Sequence, residues 1–462
     1  MVKANMTVQN INLVLPLTQK VTDMRIKDTT DSNQARSCAV ASLSTWQGDV
    51  DSKIQRSTLP ILSTPGIRTS KMEIRITTTR TTTKCVPGLS ADQSDKQHAE
   101  FSFTELVQAY FDCRKNKRNS TSALEFELNL EKNLIKLYDE LINETYTPGK
   151  SLCFVITKPK PREVWAADFR DRIVHHLFYN KMSPRFYATF IADSCACIPM
   201  RGTLYAAKRL ESKIRSATDN WDKPCFYLKM DLANFFVAID KTILIELLAT
   251  KIKEPWWFWL AKIILFHDPR QDYQLRGAAE KLNLVPAHKR LANQVSHLGL
   301  PIGNLSSQFF ANIYLNELDQ FVKHQIGAKH YIRYVDDFII LHESAQWLNS
   351  AHASINAFLP EKLAARLNPK KTILQPVDRG IDFVGQVIKP WHRTTRKRTL
   401  NEAISQVKKA PAAYLFKMAN SYFGLLGQAS KSHHEKAKLA NVLRKRGCTI
   451  NQALTKTYRN RM

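Results

Sequence analysis

Two adjacent carboxylates inside an apolar run are the feature that most restricts how this chain can fold. They belong to Tyr334-Val335-Asp336-Asp337, within His330–Leu341, where β-branched and aromatic residues predict a strand on either side. A two-residue Asp-Asp turn between such strands predicts a tight β-hairpin. Two anions beside buried strands are unfavourable unless a cation neutralises them, and a hard divalent cation such as Mg²⁺ prefers oxygen ligands. An exposed Asp-Asp turn is the simpler alternative, because Asp tolerates turn geometry.

A third carboxylate is expected at the end of another buried strand. The segment Cys225–Asp240 begins as an apolar strand that ends at Asp231, and a helical pattern starts near Asp240. A lone Asp at a strand end is commonly a cap or a turn residue. Two such carboxylate sites far apart in sequence can instead meet around a pair of metal ions roughly 3.5–4 Å apart.

These motifs and their order resemble those of reverse transcriptases over about residues 100–430. Asp231 matches the first catalytic aspartate of the palm, and Asp336 and Asp337 match the paired aspartates of the Tyr-X-Asp-Asp hairpin. The resemblance implies an α+β right-hand polymerase fold with fingers, an antiparallel palm sheet and a thumb. Four further segments match the fingers motif, the loop against the nascent base pair, the lysine motif and the primer grip, namely Lys158–His176, Gly299–Gln308, Leu367–Thr372 and Ile381–Ile388.

The loop between Asp231 and Asp336 indicates which group of reverse transcriptases the chain resembles most. It reads Ile302-Gly303 and Ser307-Gln308, where retroviral enzymes usually have Gln-Gly and Ser-Pro. This variant is similar to the enzymes of bacterial diversity-generating retroelements and of the related "unknown group", several of which act in anti-phage defence. The segments Asp193–Ala207 and Phe383–Trp391 resemble the unknown-group lineage more closely.

The composition favours a polyanionic partner. The 462 residues carry a formal net charge of +27, and such a field attracts nucleic-acid backbones through counterion release. Basic residues alternate with aromatics in Tyr110–Arg118 and Trp391–Arg398, as expected of phosphate-binding tracks. Eight cysteines without zinc spacing predict a reduced, cytoplasmic protein. No signal peptide or membrane span is expected.

The chain divides into four predicted parts. Residues 1–98 are rich in Thr and Ser without sustained periodicity, and they predict a poorly structured extension. Residues 99–220 are expected to form the fingers and 221–390 the palm, which includes a fingers–palm connection at 251–296. The basic remainder, 391–462, is expected to form a helical thumb.

The resemblance implies a role for each acidic motif residue. Asp231 and Asp336 would bridge two Mg²⁺ ions, with Asp337 as a supporting ligand and the carbonyl of Leu232 completing the nucleotide-bound ion. One ion would lower the pKa of the primer 3′-hydroxyl and the other would neutralise the triphosphate and the leaving pyrophosphate.

Basic residues are expected to contact the phosphates. Lys160 and Arg162 would reach the triphosphate, with Lys158 as a competing candidate and solvated charge as the simpler alternative. Lys371, or its neighbour Lys370, would protonate the departing pyrophosphate.

Four other residues are assigned to nucleotide binding. Phe236 matches the aromatic that closes the sugar pocket against a ribose 2′-hydroxyl, although burial in the palm core would also account for it. Gly303 would allow the backbone to approach the base pair. Ile302 and Gln308 replace the retroviral Gln and Pro and suggest altered nucleotide selection.

The sequence therefore predicts an RNA-directed DNA polymerase that makes cDNA from dNTPs on an RNA template with a DNA or RNA primer. A dedicated small non-coding RNA is the expected template, in anti-phage defence or a retroelement, with an accessory protein or oligomer as a possible partner. Template-independent or protein-primed polymerisation by the same site is a second hypothesis. An RNA-binding scaffold on an inactive fold is a third, and the intact Asp231, Asp336 and Asp337 argue against it.

Overall fold

The computed structural model describes residues 100–115, 120–158 and 160–458. The predicted N-terminal extension, 1–98, lies outside the described residues. In chain order the helices are α1 Phe103–Arg114, α2 Thr121–Glu127, α3 Leu130–Ile142, α4 Phe169–Tyr187, α5 Thr203–Ala217, α6 Phe235–Ala238, α7 Lys241–Ala249, α8 Pro255–Phe266, α9 Leu305–Gln320, α10 Ala345–Leu363, α11 Lys397–Lys409, α12 Ala412–Leu426 and α13 His433–Arg444. The strands are β1 Ser151–Ile156, β2 Arg162–Ala166, β3 Phe226–Asp231, β4 Tyr273–Leu275, β5 His330–Tyr334, β6 Asp337–His342, β7 Ile373–Pro376, β8 Ile381–Phe383, β9 Gln386–Lys389, β10 His392–Thr395, β11 Thr449–Ile450 and β12 Thr457–Tyr458.

The N-terminal part is helical, as its apolar periodicity predicts. Ser102 and Glu105 form a capping box that starts α1 by satisfying its first free N–H groups. In α3 the side chains of Leu134, Leu137 and Leu141 recur at helical spacing and are buried. These helices pack with α4 in one continuous core that reaches the central sheet.

A central antiparallel sheet has the strand order β5-β6-β3-β7. Alternate side chains of its strands enter two different cores. Tyr331 and Phe338 face the core that contains α10, whereas Ile332 and Ile339 face the core that contains α5. Because both faces are covered, the strands are mostly apolar, with Lys229 of β3 and Arg333 of β5 as charged exceptions that both form ion pairs. The predicted α+β class with an antiparallel palm sheet is confirmed.

Two three-stranded sheets and one two-stranded sheet, β11-β12, accompany the central one. β1 pairs antiparallel with β2 and parallel with β4. β8, β9 and β10 form an antiparallel meander that continues past residue 390, the expected end of the palm. Helices α11–α13 follow the meander and pack around a separate core. Within the residues the structure describes, no helix is both long and apolar enough to cross a membrane.

One buried arginine connects the β8–β10 meander to its neighbours. Arg393 Nε donates to Glu211 Oε2 of α5 at 2.8 Å. Its Nη1 donates to Gln386 Oε1 of β9 at 2.7 Å and to the Gln428 carbonyl, just after α12, at 3.0 Å. The meander is therefore tied to both the central part and the C-terminal helices.

Candidate active site

The aspartate hairpin (residues 330–342) consists of β5 and β6 joined by Val335 and Asp336. Tyr334 pairs with Asp337, so Asp337 begins β6 and does not belong to the turn. The predicted Asp-Asp turn is wrong by one residue. A two-residue turn matches the twist of its strands when its first central residue has a positive φ, and Val335 supplies this with φ 55°. A β-branched residue is strained in that region.

The register of the central sheet places the third carboxylate beside this hairpin. β3 pairs with β6 so that Asp231 lies opposite Asp337. The Leu232 N–H then donates to the Asp336 carbonyl at 3.2 Å. Asp231, which is 7% exposed, thus meets Asp336 and Asp337 at one end of the sheet.

The segment after α10 brings a lysine to Asp231. The Asn368 N–H donates to the Asp231 carbonyl at 2.8 Å, and the two segments also pair at Leu232 and Leu367. This register places Lys371 Nζ 2.6 Å from Asp231 Oδ1. Of the two lysines considered from the sequence, Lys371 is the one that contacts the carboxylate.

A second lysine, which the sequence analysis missed, contacts Asp337. Lys229 Nζ lies 3.1 Å from Asp337 Oδ2 and donates to the Asp382 carbonyl in β8 at 2.7 Å. Lys229 precedes Asp231 by two residues, so the strand period of two directs both side chains to the same face. That spacing is the signal that could have identified it.

Burial sets the protonation of the hairpin carboxylates. It raises the pKa of Asp336, the charge of Asp231 raises it further, and Lys371 and Arg162 oppose both effects. Burial also raises the pKa of Asp337 to about 6, against the opposing charge of Lys229. Desolvation is therefore larger than the attraction of the neighbouring cations.

Cations from distant segments surround the same end of the sheet. Burial lowers the pKa of Lys160, and the charges of Lys371, Arg398, Lys289 and Arg162 lower it further. These five side chains therefore lie near enough to repel one another. Such a group is suited to a polyanion, whose negative charge would relieve the repulsion.

The composition of this cationic group refines the sequence analysis. It contains Lys160 and Arg162, which are exposed, as is the competing Lys158 just after β1. Lys289 and Arg398 were not assigned to the site. Arg398 belongs to the basic run recognised at the start of the C-terminal part, but no local pattern connects Lys289 with residues so far away in sequence.

The oxygen donors of the acidic residues suit a hard cation in their chemistry, although their present spacing does not enclose one. Asp337 Oδ1 is buried without a hydrogen-bond partner, and carboxylate oxygens are the ligands that Mg²⁺ prefers. In the described ranges, no three His, Cys, Asp or Glu side chains are clustered tightly enough to hold a metal. The carboxylates of Asp231 and Asp337 are instead paired with Lys371 and Lys229.

The loop before α9 is attached to both α6 and β2. The Leu300 N–H donates to the Phe236 carbonyl at 2.8 Å, and the Trp165 N–H donates to the Ile302 carbonyl at 2.8 Å. Gln308 lies half-buried in the first turn of α9. The loop is therefore held beside the strand that carries Arg162.

Gly303 has a structural reason to be glycine. Its φ is 132°, and a Cβ would lie 2.9 Å from Val164 Cγ1 and 3.0 Å from the Trp165 carbonyl oxygen. The close approach that requires glycine is thus made to β2. The expected approach to a base pair stays a prediction.

The position of Phe236 is compatible with both of its interpretations, closure of a sugar pocket and packing in the core. It is half-buried in α6 and packs against the main core, with its ring 5.5 Å from that of Phe235. Asp231 and Phe236 are joined by only four residues, so the ring follows the first aspartate closely.

Comparison with known proteins gives one family match. The family model described as reverse transcriptase (RNA-dependent DNA polymerase) matches residues 156–388, half of the chain. The matched range includes all three aspartates as well as Lys160 and Arg162. No curated protein matches the sequence.

Solved structures with similarity to the chain include two telomerases. One is from Candida albicans, in complex with a TWJ fragment of telomeric RNA, with TM-score 0.40, 12% identity and coverage of 64% of this chain and 54% of that chain. The other is apo telomerase from Candida tropicalis truncated from its C-terminal domain, with TM-score 0.40, 15% identity and coverage of 55% of each chain. This chain spans about half the length of these structures.

Proposed function

The chain belongs to the reverse transcriptase (RNA-dependent DNA polymerase) family of nucleotidyltransferases, and from this premise we propose that it synthesises cDNA from dNTPs on an RNA template. The observation that carries the proposal is the register that sets Asp231 opposite Asp337, with Asp336 in the adjoining turn. Cations from four separate segments surround this acidic end, a charge arrangement suited to a nucleotide triphosphate.

Asp231 and Asp336 would hold the divalent cations, and Asp337 and the carbonyl of Leu232 would complete the ligand set. The unpartnered Oδ1 of Asp337 supports this assignment. When bound, Mg²⁺ ions activate a primer hydroxyl and stabilise the leaving oxygen. Lys371, which contacts Asp231, would first neutralise that carboxylate and then move toward the product.

The remaining roles follow from position and donor chemistry. Arg162 would bind the triphosphate with its planar fork and Lys160 would bind it as a point charge. Lys371 would donate a proton to the leaving pyrophosphate. Phe236 would exclude a ribose 2′-hydroxyl, and the loop with Ile302, Gly303 and Gln308 would support the nascent base pair.

Primer extension tests the activity. Asp231→Asn and Asp336→Asn should each lower extension on an RNA template by at least about 100-fold, because a developing charge loses its stabilisation. RNA affinity should be unchanged, since the basic surfaces remain. Asp222→Asn, at an exposed carboxylate, is the matched control. Near-normal extension by either active-site variant would contradict the assignment.

Sequencing the product tests template use. Complementarity to an added RNA, and no product without it, would support reverse transcription. Equal synthesis without RNA would indicate template-independent or protein-primed addition by the same site.

The biological setting we propose is a dedicated small RNA copied in anti-phage defence or a retroelement. The variant loop Ile302-Gly303, with Ser307-Gln308, supports the diversity-generating or unknown-group lineage. A cytoplasmic location and an accessory protein or oligomer are part of the same proposal. The net charge of +27 supports the RNA partner.

A further inference from the structure

A fully buried ion pair lies beneath the turn of the aspartate hairpin. Arg333 of β5 and Asp319 of α9 are 1% and 0% exposed. Arg333 Nε donates to Asp319 Oδ1 at 2.8 Å, and its Nη2 donates to Oδ2 at 2.7 Å. Removing both charges from water is costly, and the cost is offset only when geometry is good and the other polar atoms have partners.

The remaining polar atoms of the pair are satisfied by rigid neighbours. The Tyr331 hydroxyl donates to Asp319 Oδ1 at 2.7 Å. Arg333 Nη2 also donates to Ser194 Oγ at 2.9 Å, and Nη1 donates to Asn312 Oδ1 at 3.2 Å. The guanidinium is thus held by α9 and by the segment that carries Ser194.

One hydrogen bond of this network reaches the turn. Arg333 Nη1 donates to the Val335 carbonyl at 3.1 Å. Val335 is the residue with φ 55°, and it immediately precedes Asp336. A β-branched residue adopts this conformation only where its surroundings enforce it.

We propose that Arg333, held in place by Asp319, is a positioning residue that enforces the left-handed conformation of Val335 and so directs the Asp336 carboxylate. The bond to the Val335 carbonyl fixes the peptide plane between Val335 and Asp336. Rotation of that plane would turn the carboxylate away from Asp231. The inference about catalysis rests on the proposed function, whereas the conformational part does not.

Arg333→Lys is the first test, because lysine keeps a positive charge near Asp319 but lacks the planar fork. We expect kcat for primer extension to fall by about 100-fold, as for a misplaced catalytic group. KM for dNTP and affinity for primer–template should change little. A proportional fall in stability and in every kinetic parameter would contradict a positioning role.

Val335→Gly provides the rescue, because glycine adopts a positive φ without help. In the double variant Arg333→Lys/Val335→Gly, most of the lost kcat should return. The same kcat in the single and double variants would overturn the proposal. If Arg333→Lys does not fold, Tyr331→Phe weakens the network through a single hydrogen bond, and the same rescue applies to its smaller loss.

Hydrogen exchange provides a readout that does not depend on polymerase activity. Amides of residues 331–340 should exchange faster in Arg333→Lys and return toward wild-type rates with Val335→Gly. Arg114→Lys is the matched control, since Arg114 makes a similar forked contact with Glu127 between α1 and α2. Unchanged hairpin exchange in Arg333→Lys would defeat the inference. Absence of wild-type extension would defeat only the proposed function.

Discussion

At the scale of single residues, burial has a larger effect than the neighbouring charges on the pKa of the hairpin carboxylates. Asp337 keeps a pKa of about 6 although Lys229 lies beside it. The folded protein therefore holds this carboxylate in an unfavourable ionised form at neutral pH. The ionised Asp337 carboxylate is thus a cost to the stability of the fold.

Asp337→Asn should stabilise the metal-free protein at neutral pH. The folded pKa is raised from 3.8 to about 6, so the wild-type protein loses stability as pH rises through this interval. We expect the variant to gain on the order of 3 kcal/mol above pH 6 and nothing below about pH 4. Urea unfolding in EDTA measures this, with Asp222→Asn as control. An equal gain at both pH values would contradict the electrostatic origin.

Phe236→Ala tests the two interpretations of that ring. If the ring closes the sugar pocket, discrimination between dGTP and GTP should fall by about tenfold or more, because space opens for the 2′-hydroxyl. Phe235→Ala, at the more buried neighbour, is the control for lost packing. Unchanged discrimination together with a lower melting temperature would make Phe236 a core residue.

At the scale of elements, the site depends on strand register and on one close packing contact. The central strands are covered on both faces, so a shift by one residue would move every apolar side chain to the opposite core. This fixes Asp231 opposite Asp337. The loop before α9 meets β2 at Gly303, where only a hydrogen fits.

Gly303→Ala should destabilise the protein through both strain and collision. We expect a loss of about 2–4 kcal/mol in the free energy of unfolding, since the new methyl group meets Val164 and the Trp165 carbonyl. Gly385→Ala is the matched control, because its φ is also positive, 86°, with no atom within 4 Å. Urea denaturation of both variants separates the collision from the strain. Equal losses would show that the contact with β2 is unimportant.

How far the sequence predicted these elements depends on the range of the interaction. The strand ending at Asp231 and the stripe of α3 follow from local apolar periodicity, and both are present. The hairpin turn was misplaced by one residue because pairing to Tyr334, and not turn propensity, decides where β6 begins. Lys289 could not be predicted because its proximity to the site arises from tertiary packing. Lys229 could have been identified from its two-residue spacing to Asp231 on the same strand.

At the scale of the whole molecule, the positive charge is far larger than a single triphosphate requires. The net charge is +27, and basic residues occur in the N-terminal helical part, around the aspartates and along the C-terminal helices. A structured RNA bound over several faces would neutralise such a distribution and release many counterions.

Purification from the native host at low salt should retain such an RNA. We expect one dominant small RNA encoded beside the gene, and we expect its affinity to fall by about 10³-fold or more between 50 and 200 mM salt. Sequencing of the extracted nucleic acid and salt titration of binding are the measurements. A featureless mixture of cellular RNA would show that the positive charge provides only general affinity for polyanions.

The contacts of Arg393 make the C-terminal helices part of a mechanical linkage. Its guanidinium holds α5, β9 and the Gln428 carbonyl at once, so these helices cannot tilt without pulling on the β8–β10 meander. The meander in turn reaches Asp337 through Lys229 and the Asp382 carbonyl. Force applied to the C-terminal helices would therefore be transmitted, through a short series of bonded contacts, into a displacement of the Asp337 carboxylate.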